Sequence, residues 1–269
     1  MINKNKFPKV FKWMIGTLVI LLVILAIIWG WFRSQSDQLW DIVSQECVPQ
    51  SSALPESSPC LNVVLEPNVD RGYVVFRDQH GPLHFLLIPT TKIEGIESPE
   101  LLDSTVTDYF QKAWDERGFI GQQSDEPLPR DIVSLTINSS YGRSQDQLHI
   151  HISCIKPDVK AHLYSQLDQF SEQWSKVEDG INGNDYIART LTEDQFQQMS
   201  LFLRLAEEVP DAENHMGSYG LALVPYTSNT HVPMYLLLAN KLNILSLNLG
   251  YTGDIQDYQC DLLKTTGKL

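Results

Sequence analysis

The sequence predicts an α+β domain with an antiparallel sheet flanked by helices, preceded by one apolar helix. Two observations lead to this prediction. The predicted strands follow one another as hairpins instead of alternating with helices, which is typical of antiparallel sheets. A charge-free stretch of twenty residues, 13–32, precedes all of them. The 269 residues are 43% hydrophobic, enough to bury a substantial core.

The apolar stretch 13–32 has the length and the flanks of a membrane anchor. At about 1.5 Å per residue, a helix of this length reaches roughly 30 Å, the hydrocarbon thickness of a bilayer. Trp13, Trp29 and Trp31 lie at its two ends, where indole rings favour the headgroup level. Residues 1–12 contain four lysines and no acidic residue, so we expect this tail to be cytoplasmic and the remainder to be exported.

A cleaved signal peptide is the alternative for this stretch. Signal peptides have an apolar region of about 7–15 residues and a small-x-small cleavage site. The stretch here is longer, "GWFRSQS" offers no such site, and no lipoprotein-type cysteine follows it. We therefore expect a retained anchor, which divides the chain into a cytoplasmic tail (1–12), a transmembrane anchor (13–32) and an exported domain (33–269).

The charge of the chain argues against a nucleic-acid partner. The net charge is −13, and four of the positive charges lie in residues 1–12, so the exported part is more acidic still. Such a surface repels phosphate backbones and does not grip anionic lipid. We therefore expect the protein to bind the membrane bilayer through residues 13–32. Oligomeric state is not predicted.

The four cysteines, Cys47, Cys60, Cys154 and Cys260, form no C-x-x-C motif and no Cys/His metal-ligand spacing. An even number of cysteines in an oxidising compartment indicates disulfides. Of the three possible pairings we favour Cys47–Cys60, which closes a short loop rich in proline and serine. Its complement, Cys154–Cys260, would tie the C-terminal tail to a strand; the other pairings stay open.

Hydrophobic periodicity places the elements of the exported domain in order. A short helix over 36–47 precedes a hairpin of two strands around the turn "QHGPL". Pro157, at the first position of a predicted helix, marks where that helix begins after the strand 147–155. The predicted helices are 36–47, 99–119, 157–177 and 193–208, and the predicted strands are 72–78, 84–89, 131–138, 147–155, 219–226, 234–239 and 243–249.

The strand 147–155 carries the strongest chemical signal. Residues two apart on a strand share a face, so His149, His151 and Ser153 project together while Ile150, Ile152 and their even-numbered neighbours pack on the other side. Two buried imidazoles without partners would cost a few kcal/mol each. This face therefore has polar partners or borders a pocket.

Three interpretations of the histidine pair remain beside a fourth that explains more residues. The first is a solvated face of an edge strand. The second is a zinc site, for which no other histidine has ligand spacing. The third is a two-histidine phosphoesterase, whose H-φ-[ST] motif "HIS" satisfies once, although that class needs two copies.

The fourth interpretation is a resemblance to the histidine triad (HIT) superfamily, whose motif is H-φ-H-φ-H-φ-φ. Asn138 lies thirteen residues before His151, Gln145 lies before His149, and "GPLHFLLIP" is similar to that family's earlier hairpin. The third histidine is replaced by Ser153. With this replacement the chain resembles, over nearly its whole length, the bacterial CDP-diacylglycerol pyrophosphatases, which are membrane-anchored HIT-like hydrolases.

This resemblance implies a reaction, a location and a set of roles. The enzyme would cleave CDP-diacylglycerol to CMP and phosphatidate, without a metal or other cofactor, at the periplasmic side of the bacterial inner membrane. His151 would be the nucleophile, His149 would orient it or bind a phosphate oxygen, and Ser153 would donate to the leaving phosphatidate. The expected substrate-binding residues are Asn138, Gln145, Asp78 for the ribose, and His215.

Two other functions remain open at this stage. The first is a transferase that passes CMP from His151 to an acceptor other than water. The second is an exported protein that binds nucleotide without turnover. The apolar segment 196–205 is a further candidate for a membrane-facing groove, although ordinary core packing explains it as well.

Overall fold

The computed structural model describes residues 9–122 and 127–266, and its centre is an antiparallel sheet. In the described residues the sheet has ten strands in the order β1-β2-β3-β5-β4-β8-β9-β7-β6, and β10 pairs with the end of β5. The strands are β1 (Cys60–Val64), β2 (Tyr73–Arg77), β3 (Phe85–Pro89), β4 (Val133–Ile137), β5 (Ile150–Ile155), β6 (Ser175–Lys176), β7 (Tyr186–Thr192), β8 (Tyr219–Thr227), β9 (Pro233–Lys241) and β10 (Gln256–Asp257).

Eight α-helices are described around this sheet, most of them short. They are α1 (Lys9–Ser36), α2 (Gln38–Ile42), α3 (Tyr109–Asp115), α4 (Gly118–Gly121), α5 (Pro157–Tyr164), α6 (Glu193–Gln198), α7 (Leu201–Glu208) and α8 (Asp261–Thr266). A π-helical turn, Val43–Cys47, continues α2. The predicted α+β class with a large antiparallel sheet is confirmed.

The predicted anchor, residues 13–32, is not confirmed. It falls within α1, but no helix in the part of the chain that the structure describes is long and apolar enough to cross a membrane. Residues 1–8 of the predicted tail lie outside the described residues. The anchor therefore stays a prediction from the sequence.

Several predicted helices are shorter than expected. The helix predicted over 99–119 is a 3-10 turn followed by α3, because the Asp108 carboxylate accepts from the backbone N–H groups of Phe110 and Gln111 and caps the helix there. The helix predicted over 157–177 begins at Pro157 as expected but ends at Tyr164. Beyond it the chain forms β6, which pairs with β7, a strand that was not predicted.

The two faces of the sheet carry different covers. One face packs against α3, α6 and α7 in the largest hydrophobic cluster, which includes Ile150, Ile152 and Cys154 of β5. On the other face one cluster lies under α5 and a second lies under α2 and the π-helical turn. Across the sheet, His151 pairs with Leu86, which belongs to the cluster under α2, and on its other side with Thr136. Thr136 pairs in turn with Ala222, which belongs to the cluster under α5. His151 therefore lies between the two clusters.

Both predicted disulfides are present. Cys47–Cys60 joins the π-helical turn to β1, and Cys154–Cys260 joins β5 to the start of α8. Segment 196–205, considered as a membrane-facing groove, is instead core: Phe196, Leu201, Phe202 and Leu205 are buried in the largest cluster.

Candidate active site

A pocket of about 380 Å³ opens on the sheet face where His149 and His151 lie. One part of its lining is polar, with His84, Asp78, Asn138 and Tyr258 beside the two histidines. The other part is apolar, with Leu39, Ile42, Phe76 and Leu86. The predicted sharing of one face by His149 and His151 is confirmed, although β5 begins one residue after His149.

His151 is held by contacts at both of its ring nitrogens. Its Nδ1 lies 2.8 Å from Nε2 of His84, which precedes β3, and its Nε2 lies 3.4 Å from Nδ2 of Asn138. The His149 ring meets it edge-on, with ring centroids 4.9 Å apart. Both ring nitrogens of His151 therefore have a polar partner within the protein.

The hydrogen bonds of Asn138 determine the tautomer of His151. The Asn138 Oδ1 accepts from the backbone N–H groups of Thr252, at 2.8 Å, and Gly253, at 3.2 Å. Its Nδ2, which can only donate, therefore faces His151. The neutral His151 ring then presents its lone pair at Nε2 and carries its proton at Nδ1, which donates to His84.

His84 extends this chain of contacts to a carboxylate. With Nε2 accepting from His151, the neutral His84 ring carries its proton at Nδ1, and that atom lies 3.3 Å from Oδ1 of Asp78. This is an ion-pair distance that falls short of hydrogen-bond geometry, and the buried Nδ1 has no hydrogen-bond partner among the described residues. The same Asp78 oxygen accepts from the backbone N–H of His80 at 2.7 Å. Asp78, His84 and His151 therefore form one line that ends at the His151 Nε2 lone pair.

The pKa shifts of these groups are consistent with this arrangement. Burial lowers the pKa of His151 well below its ordinary value, and the nearby His149 and His84 lower it further. Burial also lowers the pKa of His149, against the hydrogen bond to the Gln147 carbonyl. Burial would raise the pKa of the Asp78 carboxyl, but its polar contacts with His84 and His80 lower it far below its usual range. The site thus holds a neutral histidine and an ionised carboxylate.

His149 is fixed with one ring nitrogen free for a ligand. Its Nδ1 lies 2.6 Å from the carbonyl oxygen of Gln147, so Nδ1 donates and Nε2 is left for the pocket. A bound phosphate would favour protonation of Nε2, which could then donate to a phosphate oxygen.

Tyr258 closes the polar part of the pocket from the C-terminal segment. Its ring stacks on the His84 ring with centroids 3.8 Å apart, while the nearly parallel His151 ring meets His84 through their ring nitrogens, 2.8 Å apart. Pairing of β10 with Cys154 and Ile155, and the Cys154–Cys260 disulfide, bring this segment to β5. His84 is thereby fixed by one ring stacked on its face and a second ring in contact with its Nε2.

Gln145 lines the pocket, but its amide binds the last turn of α1 at one end and the start of α2 at the other. Its Oε1 accepts from the Leu39 backbone N–H at 2.9 Å, and its Nε2 donates to the Gln35 carbonyl at 2.9 Å. The next residue, Asp146, donates its N–H to the Ser36 carbonyl at 2.6 Å. Gln145 therefore fixes the apolar wall formed by α2 through these two hydrogen bonds.

Two predicted site residues do not line this pocket. Ser153 is fully buried, and its hydroxyl donates to the carbonyl of Leu83 at 2.8 Å, so it ties β5 to the loop before β3. His215 is half exposed, pairs with Asp211 and borders a separate groove beside Glu97. The structure brings together the other five predicted residues: His149, His151, Asn138, Gln145 and Asp78.

Three features of the pocket were missing from the sequence prediction. Neither His84 nor Tyr258 was among the predicted site residues, and the apolar wall from α2 was not predicted. The predicted Cys154–Cys260 pairing was a usable signal for Tyr258, because it requires the residues before Cys260 to lie beside β5. No comparable signal in one sequence places α2 over this face.

No group of three or more His, Cys, Asp or Glu side chains is placed to hold a metal ion within residues 9–122 and 127–266. The family model described as CDP-diacylglycerol pyrophosphatase matches residues 34–264, most of the chain. That family's activity is hydrolysis of a phosphoric anhydride, and a pocket with a neutral buried histidine beside an apolar wall is compatible with it. The chain therefore belongs to the CDP-diacylglycerol pyrophosphatase family, and it is a CDP-diacylglycerol diphosphatase.

Proposed function

We propose that His151 is the nucleophile and that the reaction passes through a covalent nucleotidyl-histidine. The observation that carries this proposal is the contact of Asn138 with His151, which leaves the lone pair of a neutral ring at Nε2. Nε2 attacks the phosphorus that bears cytidine, an N–P bond forms, and the P–O bond to phosphatidate breaks. Water then attacks the same phosphorus, the N–P bond breaks, and CMP leaves.

The line from His151 to Asp78 accounts for the charge that this reaction creates. As Nε2 bonds to phosphorus, the ring becomes cationic, and its Nδ1 proton is shared with His84. The ionised Asp78 beside His84 stabilises the positive charge because the site is buried. His84 and Asp78 are therefore proposed as positioning and charge-stabilising residues that act through His151.

The leaving group needs little protonation. Phosphatidate leaves as a phosphate monoester whose second pKa is about 6, by analogy with phosphorylated side chains. A strong general acid helps most when the leaving group is strongly basic. This explains how the reaction can proceed with Ser153 turned away from the pocket, where its hydroxyl donates to the Leu83 carbonyl.

We place the lipid end of the substrate on the apolar wall. Leu39 and Ile42 of α2, with Phe76 and Leu86 of the sheet, form the apolar part of the pocket lining. A glycerol with acyl chains would bury apolar surface there, while the pyrophosphate meets His149 and His151. The wall is held at one end by Gln145 and at the other by the Cys47–Cys60 disulfide.

The intermediate is tested by trapping. The full chain is mixed with CDP-diacylglycerol labelled in the CMP phosphorus and quenched in alkali after one turnover, since phosphoramidates are acid-labile. We expect label on the wild-type protein and none on His151→Ala, with His162→Ala, a histidine bound to the Glu178 carbonyl outside the pocket, as the matched control. Label or CMP release that persists in His151→Ala would remove His151 from the mechanism.

Membrane anchoring by residues 13–32 remains a proposal supported by the sequence. The stretch is charge-free and flanked by tryptophans and by a lysine-rich tail. The paired cysteines fit an exported domain, which is expected at the periplasmic face of the inner membrane. We expect the protein to stay with membranes after an alkaline carbonate wash, and Leu21→Lys with Leu22→Lys to release it; retention of this variant would contradict an anchor there.

A further inference from the structure

A loop after β9 exposes more apolar surface than other described parts of the domain. Asn243 and Asn248 pair through their backbones and close a tip that contains Ile244, Leu245 and Leu247. These three side chains are 73%, 98% and 86% exposed. Exposed apolar groups of this size on a soluble domain mark contacts with a partner or a membrane.

The backbone of the tip also indicates that its leucines contact something outside the chain. Leu247 has a φ of 58°, in the left-handed region that asparagine and glycine occupy at lower cost. Its side chain nevertheless stays in solvent. A leucine placed in an unfavourable conformation without burial in its own domain points to burial elsewhere.

The base of the loop is rigid and reaches the pocket. The Asn248 side chain donates to Asn240 and to the Lys241 carbonyl, and its oxygen accepts from Gly250. Three residues after Asn248, Tyr251 lines the pocket that contains His151. A surface bound by the tip is therefore held close to the pocket mouth.

The same stretch of chain joins this loop to the end of α1. Residues 139–146 contact the loop at one end, where the Ser139 hydroxyl donates to the Leu249 carbonyl, and contact α1 at the other, where Asp146 donates to the Ser36 carbonyl. The loop and the C-terminal end of α1 thus flank one side of the pocket.

We propose that the tip at residues 244–249 inserts into the surface of a phospholipid bilayer and holds the pocket mouth against it. Residues 242–253 contain no charged side chain in a chain of net charge −13, which favours apolar insertion over electrostatic attachment. Tyr141 and Tyr251, both exposed beside the tip, have the amphipathic rings that lie at headgroup level. The inference rests on the proposed function only in taking this pocket as the place where the lipid nucleotide is cleaved.

Depth-dependent quenching tests the insertion directly. The variant Leu245→Cys is labelled with an environment-sensitive fluorophore, which the four native cysteines do not take because they are paired. The matched control is Val232→Cys, an exposed apolar residue at the opposite end of β9, roughly 30 Å away along the strand. The full chain is reconstituted in vesicles of phosphatidylcholine and phosphatidylglycerol that carry spin labels on the acyl chains.

We expect the label at position 245 to shift to shorter wavelength and to be quenched by the spin labels, and the label at 232 to be unchanged. Equal, solvent-like emission at both positions would overturn the proposal. So would a shielded label at 245 that the spin labels do not quench, together with a dimer in light scattering, because a second copy of the chain would then cover the tip.

An activity measurement adds a second test. The paired change Leu245→Asp and Leu247→Asp should raise the KM for CDP-diacylglycerol in vesicles about tenfold and leave the KM for a short-chain, water-soluble CDP-diacylglycerol unchanged. An equal rise for both substrates would show damage to the pocket and contradict a role at the membrane. Quenching at 245 does not depend on turnover, so failure of the proposed nucleophile would not be mistaken for failure of insertion.

Discussion

His84 Nε2 lies 2.8 Å from Nδ1 of His151, although the two residues are 67 positions apart in the chain. The contact crosses from the turn before β3 to the neighbouring strand β5, which pairs with β3 through Leu86 and His151. It gives the ring that we propose as the nucleophile a partner on the side opposite to the lone pair. The role of His151 therefore depends on a residue that lies outside the H-x-H motif.

Replacement of His84 should impair the chemical step more than substrate binding. In His84→Gln the charge on the His151 ring loses its link to Asp78, and we expect kcat to fall about 100-fold with KM changed less than threefold. Steady-state kinetics measures both constants, with His162→Gln as the control. A change confined to KM would show that His84 binds substrate.

Activity should persist below the ordinary pKa of histidine. The pKa of His151 is lowered by burial, so the ring stays neutral and nucleophilic as the pH falls below 6.5, and protonation inactivates it only at lower pH. We expect kcat/KM to be flat through neutral pH and to decline with an inflection below pH 6.5, the reference value for histidine. An inflection above that value, in a profile from acid to mild alkali, would contradict a buried neutral nucleophile.

Removal of Gln145 should release the apolar wall. Gln145→Ala loses the hydrogen bonds to Leu39 and Gln35, so we expect the KM for CDP-diacylglycerol to rise about fivefold, kcat to stay within twofold, and proteolysis near residues 35–42 to accelerate. Gln79→Ala, at an exposed residue that also lines the pocket, is the matched control. A large fall in kcat at constant KM would instead place Gln145 on the transferring phosphoryl group.

Loss of the Cys47–Cys60 disulfide should act on the same wall and on stability. The bond closes a loop with a sequence separation of 13, so Cys47→Ala with Cys60→Ala should lower the free energy of unfolding by about 3 kcal/mol. Because the bond holds the turn that follows α2, the KM for the lipid substrate should also rise. Denaturant unfolding checks the first effect; an unchanged KM in the folded variant would show that α2 keeps its place without the bond.

The sequence was informative where side-chain alternation matched burial in the sheet. The hairpin β2–β3, the strands β4 and β5, and the shared face of His149 and His151 follow from that alternation, and both disulfide pairings were correct. Asn138, singled out by its distance of thirteen residues from His151, lies in contact with that ring. These features depend on local pattern or on motif spacing.

The failures came from partners that are distant in the sequence. Strand β7 was missed because its central Arg189 breaks the apolar pattern, and its buried charge is paired with Glu208 of α7. Residues 243–249 were predicted as a strand because Leu245, Leu247 and Leu249 alternate with polar residues. Alternation indicates a half-buried strand only where a neighbouring strand is present, and here the tip pairs with itself through Asn243 and Asn248.

The position of Tyr258 has a consequence for the order in which the protein becomes active. Every histidine of the pocket precedes residue 152, whereas the ring that stacks on His84 belongs to Tyr258, much later in the chain. Residues 256–257 pair with β5, and Cys260 is joined to Cys154 across 106 positions. A chain whose residues 256–260 have not yet joined β5 therefore contains every histidine of the pocket but lacks the ring that stacks on His84, so the pocket is complete only once this pairing has formed.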